Sequence, residues 1–124
     1  MQSIIAVGVA GLLGTLARYW LSEAVDTRLG PAFPYGTLMV NLIGCFAIGF
    51  LFYAFATEFA VHPAIRSAIF IGFLGGFTTF SSFAVQTFVL LENGQTAQAA
   101  MNVAVSNVGG LFFVWVGYLV SRLI

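Results

Sequence analysis

Charged residues are scarce in this sequence. Only 6% of the 124 residues are charged, with four arginines and no lysine among them, and the formal net charge is zero. A soluble domain covers its surface with charged residues that amount to about a quarter of the chain. The balanced charge also provides no basic surface for nucleic acid. Because 60% of the residues are hydrophobic, the sequence predicts an integral membrane protein that lies in a lipid bilayer and binds no nucleic acid.

Residues that form disulfides or bind transition metals are equally rare. Cys45 is the only cysteine, so it has no partner for an internal disulfide, and His62 is the only histidine. No cysteines and histidines have the spacing of a zinc or iron site. His62 lies in a predicted loop, whereas a haem-anchoring subunit needs a histidine inside the membrane. The sequence therefore predicts no transition-metal site. An enzyme is also not expected, a prediction that belongs with the function given below.

Four apolar segments are long enough to cross a bilayer, which takes about 20 residues. They lie at about residues 4–21, 36–56, 64–91 and 97–121. The polar stretch SEAVDTRLGPAFPY, residues 22–35, is predicted to be a loop, and the short turn ENGQ precedes the last segment. The pattern predicts an all-α integral membrane protein, with one domain of four transmembrane helices.

The third segment is too long for a single straight span. About 28 residues at ~1.5 Å each would reach about 42 Å, against a hydrocarbon core of about 30 Å. Its centre reads GFLGGFTTFSSF, with a glycine pair and four hydroxyl side chains. We predict that this helix is broken near residues 75–79, where glycine and threonine make an interruption least costly. Carbonyls freed by such a break need partners.

The arginines do not favour one orientation of the chain. With four spans, Arg66 and Arg122 lie on one side of the membrane, and Arg18 and Arg28 lie on the other. With two arginines on each side, the positive-inside rule predicts no preferred orientation. We expect that the chain inserts both ways and pairs with an inverted copy of itself.

Phe77, Phe80 and Phe83 are spaced three residues apart, as on one face of a helix. Packing against the core or lipid is the commonest explanation of such a stripe. The alternative uses the ring quadrupole, because aromatic edges are electropositive and can face an anion without a formal charge. The stripe alone does not decide between the two.

Polar side chains occur at membrane depth and have two interpretations. The Asn41 amide either links helices or donates N–H groups to an anion. Arg18, near the end of the first span, either reaches the lipid interface or draws anions toward a vestibule. The remaining polar residues are hydroxyl and amide side chains, each of which could instead bond to its own helix: Thr78, Thr79, Ser81, Ser82, Ser106 and Asn107.

Two motifs together resemble those of the Fluc-type (CrcB) bacterial fluoride channels. They are GTLMVNLIG at residues 36–44 and GFLGGFTTFSSF at residues 72–83. The similarity covers essentially the whole chain and includes the early Arg18 in LARYW. It implies an antiparallel, dual-topology homodimer in the bacterial inner membrane, with two fluoride pathways along the subunit interface.

The resemblance also assigns roles to individual residues. It places Asn41, Phe80 and Phe83 on the fluoride pathway, with the ring edges of both phenylalanines facing the ion. Ser82 and Ser106 stand at positions that match a track of hydroxyl groups. It further implies a structural Na⁺ at the dimer centre, held by the main-chain carbonyls of Gly75 and Thr78. Three positions depart from the residues frequent in the family: Ala84, Gln86 and Gly110.

The function predicted on these grounds is passive export of cytoplasmic fluoride, which gives fluoride resistance. Two other classes stay open at this point. A small proton-coupled four-helix exporter needs an ionisable residue inside the membrane, whereas the acidic residues all lie at predicted loops or span edges: Glu23, Asp26, Glu58 and Glu92. A non-transporting membrane anchor subunit would not need the glycine and hydroxyl motif.

Overall fold

The computed structural model describes Met1–Ile124 and is entirely helical apart from short connections. The first two long helices are α1 (Gln2–Leu29) and α2 (Tyr35–Thr57). The third membrane segment consists of α3 (Pro63–Ser67), a π-helical segment (Ala68–Phe73), α4 (Leu74–Phe77) and α5 (Phe80–Glu92). Helix α6 (Thr96–Ser121) ends the fold.

Four helices are long and apolar enough to cross a membrane, when Pro63–Glu92 is counted as one. This confirms the prediction of an all-α protein with four long apolar helices. Most of the large hydrophobic side chains along these helices are exposed in the single chain. A lipid bilayer, together with any further subunit, supplies the surroundings that such a surface requires.

Helix α1 continues through residues that were predicted to form a loop. It ends at Leu29, and Gly30 follows with a φ of 86°, a left-handed conformation that favours glycine. Two hydroxyl groups in this stretch bond back to their own helix, Ser22 to the Arg18 carbonyl and Thr27 to the Glu23 carbonyl. The loop prediction for residues 22–29 is wrong because polarity there reflects the solvated end of a helix.

Helices α2 and α6 pack through glycines that allow the backbones to approach closely. A methyl group at Gly49 would overlap the Val114 backbone, and one at Gly117 would overlap the Phe46 carbonyl. Tyr53 and Tyr118 add an edge-to-face ring contact, with centroids 5.0 Å apart. Small residues at such contacts allow close packing in a membrane, where no hydrophobic effect drives helices together.

Helix α1 packs in the same way against the first half of the third segment. A methyl group at Gly14 would overlap the Phe73 backbone, and one at Gly76 would approach the Gly11 carbonyl and the Thr15 hydroxyl. Gly76 thus belongs to a helix contact and has helical backbone. This contact holds α4 in place immediately before the non-helical residues Thr78 and Thr79.

Candidate functional site

The backbone leaves the helical conformation at two residues in the middle of the third segment. Thr78 has φ −94° and ψ 156°, and Thr79 has φ −150° and ψ 117°, both extended. Thr79 is also the N-cap of α5, since its hydroxyl accepts a hydrogen bond from the Ser82 N–H. The same hydroxyl donates to the Ser82 Oγ at 3.1 Å. Threonine at this position therefore supplies the capping that begins a new helix in an apolar span.

The Asn41 side chain on α2 pairs with both backbone groups of Thr79. The Thr79 N–H donates to Asn41 Oδ1 at 2.8 Å, and Asn41 Nδ2 donates to the Thr79 carbonyl at 3.0 Å. Asn41 is thus a link between helices, as one of its two interpretations supposed. Its Nδ2 carries a second N–H, so the amide still has a donor to offer.

The Asn41 amide and the Thr79 hydroxyl also leave two main-chain carbonyls without their usual helical hydrogen bonds. In a continuous helix, the Gly75 carbonyl would accept from the Thr79 N–H, and the Thr78 carbonyl from the Ser82 N–H. Those N–H groups instead donate to Asn41 and to the Thr79 hydroxyl. The Thr78 carbonyl accepts no hydrogen bond within the chain. Two neutral oxygens therefore lack their helical partners at membrane depth.

An open groove of about 430 Å³ lies beside these residues. Six of the eight residues predicted for the site line this groove: Asn41, Gly75, Thr78, Phe80, Phe83 and Ser106. Neighbouring residues of α2, α4 and α6 also line it. No charged side chain is among the lining residues. The polar groups among the lining residues are therefore neutral amides, hydroxyls and main-chain groups.

The other two predicted residues do not line the groove. Ser82 lies behind Thr79, with which its backbone N–H and hydroxyl both bond. Arg18 is half-buried on α1, and the structure does not bring it to the groove. The three departures from the family pattern also lie outside it. Gln86 lines a separate cavity of about 380 Å³ near the loop after α1, and Gly110 is buried next to the Cys45 thiol.

Phe80 and Phe83 form a pair at the start of α5. Their ring centroids are 5.6 Å apart with an interplanar angle of 51°, and Phe80 is 78% exposed in the single chain. Phe77 is not part of this pair, because the extended residues separate it from α5. It is buried and stacks on Phe73, with centroids 5.9 Å apart. The predicted three-residue stripe is therefore wrong for Phe77, which packs in the core.

A chain of hydrogen bonds behind the groove includes two residues that sequence reasoning missed. Ser106 donates to Asn102 Oδ1, Asn102 Nδ2 donates to the Thr87 hydroxyl, and that hydroxyl donates to the Phe83 carbonyl. Asn102 is only 2% exposed. Its position four residues before Ser106 puts both on one face of α6, and this spacing was the available signal.

Residues 5–118 match the family described as CrcB-like protein, Camphor Resistance (CrcB). The chain belongs to the CrcB family. It is 48% identical over 122 residues to a protein named fluoride-specific ion channel FluC from Citrifermentans bemidjiense, with 98% of each chain covered. Proteins of the same name from Geotalea daltonii and Aquifex aeolicus are 46% and 40% identical, over 100% and 98% of each chain. These similarities extend over all four long helices.

Proposed function

We propose that this CrcB-family protein is a fluoride-selective channel, which lets cytoplasmic fluoride leave passively and so gives fluoride resistance. The observation that carries the proposal is the groove, which brings Asn41, Phe80, Phe83 and Ser106 together without a charged residue. The relatives named as fluoride-specific channels cover the full length of the chain. A multi-pass location in the bacterial inner membrane follows from this function.

The groups in the groove suit a small anion that must pass through and not stay. The free N–H of Asn41 and the electropositive edges of the Phe80 and Phe83 rings can replace part of the hydration shell. No fixed cation in the groove holds the anion tightly. Conduction requires binding strong enough for the ion to enter and weak enough for it to leave.

We further propose that two copies pair in opposite orientations, with a pathway along their interface. Phe80 is 78% exposed in one chain, although it begins a helix at the centre of a membrane segment. The Thr78 carbonyl has no partner within the chain, and an unpaired carbonyl facing lipid costs several kcal/mol. A second copy over this face would cover both. The balanced arginines allow that copy to insert inverted.

A sodium ion fits the same face. The Gly75 and Thr78 carbonyls lack their helical partners, and neutral oxygens without a carboxylate favour a monovalent cation over Ca²⁺ or Mg²⁺. No cluster of His, Cys, Asp and Glu offers a site for a more highly charged metal. We propose that these carbonyls from both copies hold a structural Na⁺, which would offset the negative charge of passing fluoride.

Sodium dependence can be measured without flux. The purified dimer should melt at a lower temperature when Na⁺ is replaced by N-methylglucamine, because the carbonyls lose their ligand. Potassium in place of N-methylglucamine controls for general ionic effects. A melting temperature that is the same in all three salts contradicts the sodium site.

Two other functions predict different transport. A proton-coupled exporter would move its substrate only with a pH gradient, and its coupling residue would have to be one of the carboxylates near the helix ends. A membrane anchor subunit would show no flux on its own. The groove, which holds the Asn41 amide beside two aromatic rings and has no charged residue, favours the channel over both.

Ion efflux from liposomes that contain only this protein tests the proposed function. With a K⁺ ionophore present to balance charge, fluoride should leave the vesicles, and chloride should be retained. Protein-free liposomes are the control. Equal release of both anions, release only with a pH gradient, or no release would contradict the proposal.

A further inference from the structure

A buried amide lies behind the groove, between α5 and α6. Asn102 is bonded at both ends of its side chain, where Nδ2 donates to Thr87 Oγ1 at 2.9 Å, and Oδ1 accepts from Ser106 Oγ at 3.3 Å. Both ends of the chain of bonds reach the groove, since Ser106 and Phe83 line it. Asn102 itself is 2% exposed and lies outside the lining.

The direction of each bond is fixed by the last member of the chain. The Phe83 carbonyl can only accept, so the Thr87 hydroxyl donates to it, at 2.7 Å. Thr87 Oγ1 then accepts from Asn102 Nδ2, which turns the amide oxygen toward Ser106. Because an amide oxygen cannot donate, the Ser106 proton points at Asn102. The hydroxyl therefore presents its lone pairs, not its proton, to the groove.

We propose that Asn102 is a positioning residue that sets how strongly Ser106 binds an anion in the groove. The inference rests on the proposed fluoride function. An anion can take the Ser106 proton only if the Asn102 oxygen loses its donor, and Asn102 is too deeply buried for bulk water to replace that donor. Asn102 thus weakens Ser106 as a ligand, which favours release of the ion over tight binding.

Two substitutions separate the members of this chain. Asn102→Leu removes the acceptor and keeps a side chain of similar volume, so Ser106 can turn to an ion without leaving a buried side-chain oxygen unpaired. We expect the half-saturating fluoride concentration to fall about fivefold, the ratio that corresponds to ~1 kcal/mol, the net contribution of one hydrogen bond. Thr87→Val keeps Asn102 but removes the bond that orients its amide. Thr87→Val should lower the half-saturating fluoride concentration by less than about fivefold.

The measurement is fluoride current against fluoride concentration in planar bilayers. The half-saturating concentration does not depend on the number of folded channels, so a purely structural effect would change only the maximal current. Ser121→Ala is the control, because it removes another buried side-chain hydrogen bond of α6, between Ser121 Oγ and the Tyr118 carbonyl. It should leave the half-saturating concentration unchanged.

The Ser106→Ala background identifies the route of the effect. If Asn102 acts through Ser106, neither Asn102→Leu nor Thr87→Val should shift the half-saturating concentration further in that background. An unchanged concentration in both single variants, or an equal shift with and without Ser106, would overturn the inference. An absence of fluoride current in the unsubstituted protein would instead overturn the proposed function, and the inference with it.

Discussion

The Asn41 amide and the Thr79 hydroxyl together replace two hydrogen bonds of a continuous helix. Asn41 takes the Thr79 N–H, and the Thr79 hydroxyl takes the Ser82 N–H. The N–H groups remain satisfied, while the carbonyls that would have accepted them are released. A polar residue in a membrane helix is costly unless it has a partner or a function. Asn41 has both, because its side chain bonds to Thr79 and is also proposed to bind the anion.

Asn41→Leu should destabilise the folded protein by about 2 kcal/mol, because both bonds to Thr79 are lost at about 1 kcal/mol each. Thr57→Val, on the same helix, removes only an exposed bond to its own helix and should change the stability by less than about 0.5 kcal/mol. Denaturation of the purified protein in detergent measures both. Equal stability of the two variants would mean that Asn41 does not hold the extended residues.

Phe80→Ile and Phe83→Ile should each lower fluoride flux roughly tenfold, as expected when ~1.4 kcal/mol of stabilisation by a ring edge is lost at the barrier. Phe88→Ile is the matched control, since Phe88 is an exposed phenylalanine of α5 outside the groove. Flux from liposomes is the measurement, after the variants are shown to purify as the same species. Undiminished flux in both groove variants would assign these rings to packing alone.

At the scale of elements, glycine contacts decide where the third segment sits. Helix α1 lies so close to the π-helical segment and α4 that Gly14 and Gly76 leave no room for a methyl group. Gly8, on the same helix, faces open space. The sequence alone does not distinguish Gly8 from Gly14, because both lie within the same apolar segment. Only the tertiary contact separates them.

Gly14→Ala should therefore destabilise the protein by about 1–3 kcal/mol, because the added methyl group meets the rigid backbone of Phe73. Gly8→Ala makes no such contact and should be neutral, or stabilising by about 0.5–1 kcal/mol through better helix propensity. Unfolding of the two variants under the same conditions measures the difference. Destabilisation of the same size in both would show that α1 does not approach the third segment this closely.

The sequence predicted the four long helices, and six of the residues that line the groove had been named as site residues. Long apolar runs determine membrane helices directly, and Asn41 and Phe80 were recognisable as a polar and an aromatic group in two characteristic motifs. Ser106 was assigned through the resemblance to the family. The sequence could not predict the hydrogen bond between Asn102 and Thr87, because that bond depends on how α5 and α6 pack against each other after the turn. The end of α1 was also missed, since a polar stretch can be a loop or a solvated helix.

At the scale of the whole molecule, one chain has an open groove with several polar groups on an otherwise apolar surface. Most large side chains facing outward suit lipid, whereas the Thr78 carbonyl and the groove amides do not. The proposed inverted second copy would cover such a face without any new sequence element. The single chain therefore has the composition of a membrane protein, together with one face that lipid alone does not suit.

The C-terminus should be accessible from both faces of the membrane if the chains insert in both orientations. Labelling of a C-terminal tag on intact and on permeabilised cells measures the two populations. Adding lysines beside Arg122 should hold that end in the cytoplasm, because positive residues favour this side, and should remove activity when no oppositely oriented copy is present. Labelling from one face only, in the unsubstituted protein, would contradict the inverted pair.

The reversal potential of the current tests the central claim most directly. With a tenfold fluoride gradient and equal chloride on both sides of a planar bilayer, a passive fluoride-selective channel should reverse at a magnitude of about 59 mV. Adding a pH gradient should leave that value unchanged, because no proton moves with the ion. A reversal potential near zero would contradict selectivity, and one that shifts with the pH gradient would contradict passive transport.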